Sequence, residues 1–477
     1  MSIKFFVCLC LLVNVQLLVA GESSEEVNKI DKSSDPVILR TDLSEEERSR
    51  AFTVVHLNDT HENLSVKWLG KGSSVMIVLA KNNKPKPNTT VTTNVYVSYD
   101  YGSTFKREDG LKLNNGSPPI LNTFMTSKLN NSHFLFTDIV NNYLFISTNY
   151  GQTYKSKSLD FSPKIVQIHN TIPNYILASD DAEPTDLYLS CDFGLSWQVI
   201  PKKILKFSWS STYEQKDPKR QDRVYALMPQ NGQKSLFYTD RYFEKGSLQL
   251  VKNNVKDFKI CNKYVVVIRH ATLYGSPLKE VGLKMDVAFN RTEFAMALFE
   301  GKYSISDITD FYVVDCSDNE LIVAARSAKT KDRANLFVSN MKGNRFRQVL
   351  RDVVITTTNN KTSVDVHKVA GLTGVYIANS YDNATNTIVS LITYDSGESW
   401  NKINLTQVQS DEIAKNCTHE NCSLHFIQSS FAYAYKYPGI TSKESAVGII
   451  LASGIIDEGL KNDTRPISRQ VAQTFLR

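Results

Sequence analysis

The chain has 477 residues, of which 42% are hydrophobic and 22% charged, an ordinary globular balance. Its formal charge of +6 is mild for this length and no Lys/Arg block concentrates it, which argues against a nucleic-acid partner. After the first twenty or so residues no apolar stretch approaches membrane-spanning length.

In chain order, the first element is a secretory signal at 1–21. Lys4 precedes the apolar run Phe5 to Val19, and Val19-Ala20-Gly21 offers small residues for cleavage. A membrane anchor fits less well, because Asn14 and Gln16 interrupt a short run. Residues 22–51 are acidic, polar and poor in aromatics, and read as a flexible leader. From 52 to 456 the chain alternates short β-branched and aromatic runs with Gly, Asn, Asp and Pro clusters. Val75 to Ala80, Thr93 to Ser98, Tyr143 to Ser147 and Tyr264 to Ile268 are such runs. No stretch sustains a helical period, so this part is all-β. Gly70-Lys71-Gly72 lacks the third glycine and following helix of a phosphate loop and is a hairpin turn. His56 and His61 form no metalloprotease motif and are read as surface or turn residues.

One phrase recurs along this region. Ser98-Tyr99-Asp100-Tyr101-Gly102-Ser103-Thr104-Phe105, Ser190-Cys191-Asp192-Phe193-Gly194-Leu195-Ser196-Trp197 and Thr393-Tyr394-Asp395-Ser396-Gly397-Glu398-Ser399-Trp400 share the pattern [ST]-x-[DN]-x-G-x-[ST]-aromatic, the Asp box. A fourth copy, Ser147 to Tyr154, has Asn149 at the acid position and keeps Gly151. Short acceptor side chains bind turn amides, glycine takes the positive φ of a tight hairpin, and the aromatic buries its face beneath the turn. The boxes are therefore structural rather than catalytic. Worn copies stand at Tyr238 to Phe243, with Asp240 taken as the acid, and at Ser339 to Phe346, with Met341 in the acid position. Asp100 to Asn149 is 49 residues, Asn149 to Asp192 is 43 and Asp192 to Asp240 is 48. Such a period suits propeller blades of four antiparallel strands.

Without the signal's Cys8 and Cys10, five cysteines remain. Cys417 and Cys422 are expected to close a small loop by a disulfide. Of Cys191, Cys261 and Cys316 at least one stays unpaired; Cys261–Cys316 is the pairing chosen, with the others left open. The same segment, with His419 and His425, could hold zinc, but its spacing is not that of a finger and a second cysteine arm is missing. No metal or other cofactor is expected. Asn-x-Ser/Thr sequons occur at Asn58, Asn63, Asn88, Asn115, Asn130, Asn290, Asn360, Asn383, Asn404, Asn416, Asn421 and Asn462, which fits passage through a glycosylating pathway. Asp boxes also decorate sialidase-type glycosidases. The chain has no Phe/Tyr-Arg-Ile-Pro signature, no Gly-x-Ser-x-Gly elbow and no nominated acid pair. A hydrolase is thus the weaker reading.

Beyond the boxes, particular stretches resemble the sortilin family of sorting receptors, nearest the branch that carries low-density-lipoprotein-receptor repeats. They are Leu57-Asn58-Asp59-Thr60-His61 with Trp68, Val95 to Gly102, Lys206-Phe207-Ser208-Trp209, Val369 to Ala378, Asn416 to His425, and Ser442 to Ile450. The resemblance implies a ten-bladed propeller that binds peptide or propeptide ligands without catalysis, in Golgi-to-endosome trafficking. It implies nothing about individual ligand-contacting residues, which stay unassigned. Measured against that pattern, seven units are complete, ending near 105, 155, 198, 243, 290, 346 and 400, and an eighth stops near 454. The expectation is a truncated propeller over 52–456 and a polar tail at 457–477. Arg48-Ser49-Arg50 is only a partial version of the family's propeptide-processing site. The open first and last blades are expected to favour self-association. The leading expectation is a secreted, soluble binder with no membrane span once the signal is removed. The alternative is a fragment or isoform of a membrane receptor.

Overall fold

The computed structural model describes Phe5–Cys8, residues 52–460 and Val471–Phe475, apart from 62, 71, 83–90, 181–183, 211–216, 218–219, 273–279, 291–292, 301–307, 359–360, 386, 404–422, 427, 429–439, 445 and 458. The leader at 22–51, most of the signal segment, Cys417 and Cys422 lie outside the described residues, as do Asn88, Asn360, Asn404, Asn416, Asn421 and Asn462. Every regular element among the described residues is a β-strand. The chain divides into two compact units, with the boundary between Val251 and Lys252.

In the first unit, four antiparallel sheets follow one another, each made of four consecutive strands. The first holds Asn63–Trp68, Met76–Lys81, Thr93–Ser98 and Lys106–Arg107; the second Thr123–Thr126, Phe134–Asp138, Tyr143–Ser147 and Lys155–Ser158. The third holds Ile165–Ile168, Ile176–Ser179, Thr185–Ser190 and Gln198–Ile204; the fourth Lys206–Trp209, Val224–Gln230, Gln233–Thr239 and Gln249–Lys252. Phe5–Cys8 pairs with Phe52–Val55.

The second unit continues the same meander. The fifth sheet is Val255–Cys261, Tyr264–Thr272, Glu280–Phe289 and Ala295–Met296. The sixth is Ile308–Asp315, Ile322–Ser327, Arg333–Ser339 and Arg345–Thr358, with Leu298–Phe299 added in parallel along Arg345–Phe346. The seventh is Val366–Lys368, Tyr376–Asp382, Thr387–Thr393 and Asn401–Lys402, joined to the sixth by one pairing, Val353 with Ser380. In the eighth, Ala446–Asp457 pairs with Ser423–Phe426, Thr441–Lys443 and Val471–Phe475.

The central strands are largely apolar because both faces are covered. Phe134–Asp138 is buried at every residue. Phe134 and Phe136 point one way, into Ile77, Leu79, Val95 and Val97 of the first sheet. Leu135 points the other way, towards Val166, Ile176 and Ala178 of the third. This is the period-two alternation of a strand, here with apolar neighbours on both sides. Each such phenylalanine contributes about 2–3 kcal/mol by leaving water. In the second unit Tyr264 and Val266 meet Val323 and Phe337 across the fifth and sixth sheets. Ile377 and Ile392 meet Leu424 and Phe426 across the seventh and eighth. Three of the fourth strands behave oppositely: Lys106–Arg107, Lys155–Ser158 and Asn401–Lys402 are short and fully exposed, and their lysines discourage sheet-to-sheet pairing.

Candidate functional site

Every Asp box forms the turn between the third and fourth strands of its sheet. In the first, the Ser98 hydroxyl donates to Asp100 Oδ1 at 2.7 Å and accepts from Gly102 N–H at 2.8 Å. Asp100 Oδ1 accepts from Thr104 N–H at 2.9 Å, and Oδ2 from the Thr104 hydroxyl at 2.6 Å. The same bonds recur around Asp192 and Asp395. Asn149 reproduces them with its amide donating to Thr153 Oγ1 at 2.9 Å. The Thr104 hydroxyl, more than any other group, holds Asp100 down at about 2. Ser399 likewise holds Asp395 below the carboxylate range. For Asp192 partial burial opposes the effect, and bonds from Ser196 and Ser190 outweigh it. Each carboxylate is thus an occupied acceptor, unsuited to proton transfer.

The box glycines serve packing as well as φ. Gly194 (φ 91°) would place a Cβ 3.2 Å from Ile146 Cδ1, and Gly397 (φ 91°) one 3.0 Å from Val349 Cβ, in each case on the preceding sheet. Phe105, Trp197 and Trp400 are half-buried beneath their turns, and Trp197 Nε1 donates to Gly194 O at 3.0 Å.

The worn copies are placed differently from the sequence reading. Thr239 Oγ1 accepts from Arg241 and Phe243 N–H, both at 3.2 Å, as Ser98 does from Asp100 and Gly102. Arg241 therefore takes the acid position and Phe243, at φ 67°, takes the glycine's. Asp240 instead faces Arg223 in a two-pronged ion pair at 2.7 and 2.8 Å. In the later copy Asn340 Oδ1 accepts from Asn344 N–H at 3.1 Å and fills the acid's role, while Met341 is 64% exposed. His61 is not at the surface either: it is 4% exposed, with Nδ1 2.5 Å from Asp59 Oδ1 and Nε2 2.9 Å from Thr92 O. Asp59 also accepts from Asn94 at 2.8 Å and Tyr96 at 2.6 Å. Burial works against its ionisation, yet these bonds hold its carboxyl down at about 2.

A disulfide joins Cys261 and Cys316, with Cα atoms 6.0 Å apart, and Cys191 is free and exposed. Asn58, Asn115, Asn130, Asn290 and Asn383 are exposed, and Asn63 is half-buried.

A glycosidase of the sialidase kind needs an activated tyrosine. Tyrosine–acid pairs do occur, Tyr96 with Asp59 and Tyr242 with Asp222 at 2.6 Å, and Tyr376 with Asp315 and Tyr381 with Asp332 at 2.9 Å. Burial, then the neighbouring carboxylate, pushes Tyr96 and Tyr381 up to about 12 and raises Tyr242 and Tyr376 as well. That is the reverse of nucleophile activation. A cavity of about 680 Å³ is lined by Arg326, Lys331, Asp332, Thr356, Thr357 and Tyr381 among others. Of the cations lining it, Arg326 is already engaged on Asp310, and the lining Tyr381 carries Arg333 stacked 3.9 Å over its ring.

Among the described residues the sheet edges also offer free backbone groups. The first strand of each sheet has one ladder neighbour, so alternate residues turn their N–H and C=O groups to the free edge. In the first sheet Leu69 N–H bonds Val75 O, which leaves Leu64, Val66 and Trp68 on that edge. By the same counting Phe124 and Thr126 are free in the second sheet, and Val166 and Ile168 in the third. Ser65, Val66 and Lys67 are exposed, with Val66 at 42%. The edges of the fourth, sixth and seventh sheets carry side chains instead, from Gln167, from Lys256 and Lys259, and from Ser442. Of these four, sequence reading had touched only Ser442, as the first residue of a family-like stretch, and gave it no role. The only hint was a glutamine inside the apolar strand Ile165–Ile168.

A family model described as Sortilin-Vps10 (sortilin, neurotensin receptor 3) matches residues 93–467. Sortilin-related receptors of Oryctolagus cuniculus and Homo sapiens are each 28% identical to the chain over 87% of it, covering 19% of their own length. The VPS10 domain-containing receptor SorCS1 of Mus musculus is 26% identical over 88% of the chain and 35% of its own. The chain thus spans about a fifth to a third of these relatives. Among solved structures, the Dos1 propeller covers 83% of the chain and 91% of its own at 8% identity and a TM-score of 0.44. The β-propeller domain of the Trilobed protease from Pyrococcus furiosus gives 10% identity and 0.36, covering 73% and 98%. At those scores neither superposition carries weight here.

Proposed function

Because the chain belongs to the Sortilin-Vps10 family, and so has an all-β, propeller-type fold, we propose that it is a non-catalytic binding module for extended peptide or propeptide segments. The supporting observation is the set of open strand edges in the first three sheets, above all Asn63–Trp68, whose Ser65, Val66 and Lys67 are exposed. An extended ligand that pairs there gains main-chain hydrogen bonds for affinity and alternate side-chain contacts for selectivity. The reading places the protein in the secretory pathway, delivered by residues 1–21 and glycosylated at the exposed sequons, as a soluble module. A second reading, that it is part of a membrane sorting receptor, is favoured by the small share of its relatives' length that it spans.

The test is selection of a random displayed-peptide library on the purified protein, followed by calorimetric titration of the enriched sequences. Enrichment of extended, alternating sequences supports the proposal; no enrichment over an unrelated β-protein refutes it. Transcript mapping separates the two readings, since a longer coding sequence favours the receptor.

A further inference from the structure

Three first strands carry a side chain where a neighbouring strand would lie, and we propose that these side chains are edge guards that deny those strands to an extended ligand. The inference rests on the strand-addition reading above and narrows where such a ligand can sit.

The fourth sheet shows the device most completely. Ser210 N–H bonds Arg223 O, so Phe207 and Trp209 turn their backbone groups away from Val224–Gln230. An added strand would give an N–H to the Phe207 carbonyl and accept the Trp209 N–H. Gln167 does both: Nε2 donates to Phe207 O at 3.1 Å and Oε1 accepts from Trp209 N at 3.3 Å. Its primary amide imitates one peptide group of a neighbouring strand. The Trp209 indole donates back to Gln167 O at 3.0 Å and fixes the pair.

Different chemistry reaches the same end in the second unit. Val369 N–H bonds Val375 O, which leaves Lys368 and Ala370 on the outer edge of the seventh sheet. There Ser442 Oγ accepts from Ala370 N–H at 2.9 Å and donates to Lys368 O at 3.4 Å. On the sixth sheet Lys256 Nζ donates to Thr309 O at 3.0 Å and Lys259 Nζ to Val313 O at 2.7 Å. An ammonium has donors only, so this guard occupies carbonyls and leaves the amides between them.

At a guarded edge a ligand must displace bonds already made, and it exchanges hydrogen bonds rather than gaining them. Addition there is about tenfold weaker or worse than at an open edge, since each net bond is worth roughly a factor of five. Among the edges of the first, second, third, fourth, sixth and seventh sheets, extended ligands are therefore confined to those at Leu64 to Trp68, Phe124 to Thr126 and Val166 to Ile168.

The experiment uses the full chain and a synthetic strand, acetyl-Lys-Thr-Val-photoleucine-Val-Thr-Lys-amide, crosslinked by light and mapped by mass spectrometry. In the wild type, crosslinks are expected at 63–68, 123–126 and 165–168. Gln167→Leu, which keeps the volume and loses the amide, is expected to add crosslinks at 206–209, and Ser442→Ala at 366–370. The proposal is overturned if the wild type already crosslinks at 206–209, or if neither variant gains sites while the first three sheets still react. If no protein crosslinks anywhere, the strand-addition reading fails, and amide exchange at Trp209 decides about the guard. Exchange about fivefold faster in Gln167→Leu upholds it, and an unchanged rate overturns it.

Discussion

Asp100 offers a quantitative check that the boxes are structural clamps. Its folded pKa is lowered from the ordinary 3.8 to about 2, chiefly by the Thr104 hydroxyl. Taken at face value the shift is worth about 2.5 kcal/mol, but the residue is only half-buried and solvent screening reduces it to about 1 kcal/mol. Because the folded pKa is depressed, that stability is present above about pH 4 and is lost as pH falls towards 2. Asp100→Asn keeps the geometry already seen at Asn149. It should cost about 1 kcal/mol at pH 7 and nothing relative to wild type at pH 2. Asp100→Ala leaves the Ser98 and Thr104 hydroxyls and the Thr104 N–H without their partner, a cost of about 2–3 kcal/mol. Urea denaturation of wild type and both variants at pH 7, 5, 3 and 2 provides the test. An Asn variant as damaged as the Ala variant, or a deficit unchanged down to pH 2, would refute the reasoning.

Other perturbations probe the packing. Gly397→Ala combines a left-handed backbone with a Cβ 3.0 Å from Val349, so it should lose about 2–4 kcal/mol in the same titration. Asp59→Ala strips His61, Asn94 and Tyr96 of a shared acceptor and should cost about 2–4 kcal/mol. In that variant Tyr96, pushed up to about 12 first by burial and then by Asp59, should ionise at lower pH in an ultraviolet titration. Replacing Cys261 and Cys316 with serine opens a link between residues 55 apart. The loss should be about 4 kcal/mol, read as a melting temperature that no longer responds to reductant.

The fold was legible because the box repeat sets a period and the turn chemistry is local: Ser98, Asp100, Gly102 and Thr104 lie within seven residues and bond one another. The worn copies were misread for a physical reason. The turn's register is set by the hydroxyl that accepts two amides, Thr239, whereas the sequence reading set it by the nearest acid, Asp240. His61 looked like a surface residue because its partner Thr92 is 31 residues away. The guards were out of reach altogether. Gln167 meets Phe207 and Trp209 across about forty residues, and Ser442 meets Lys368 across 74. No local pattern announces which strands become neighbours.

The claim that extended peptides pair with open edges and not guarded ones is tested most directly by amide hydrogen exchange of the wild-type protein. It would be measured with and without a peptide enriched from the displayed library. Protection is expected at Leu64, Val66 and Trp68 or at the corresponding free amides of the second and third sheets, with Trp209 and Ala370 unchanged. Protection confined to the cavity around Arg326 and Tyr381, or new protection along 308–315, would contradict it.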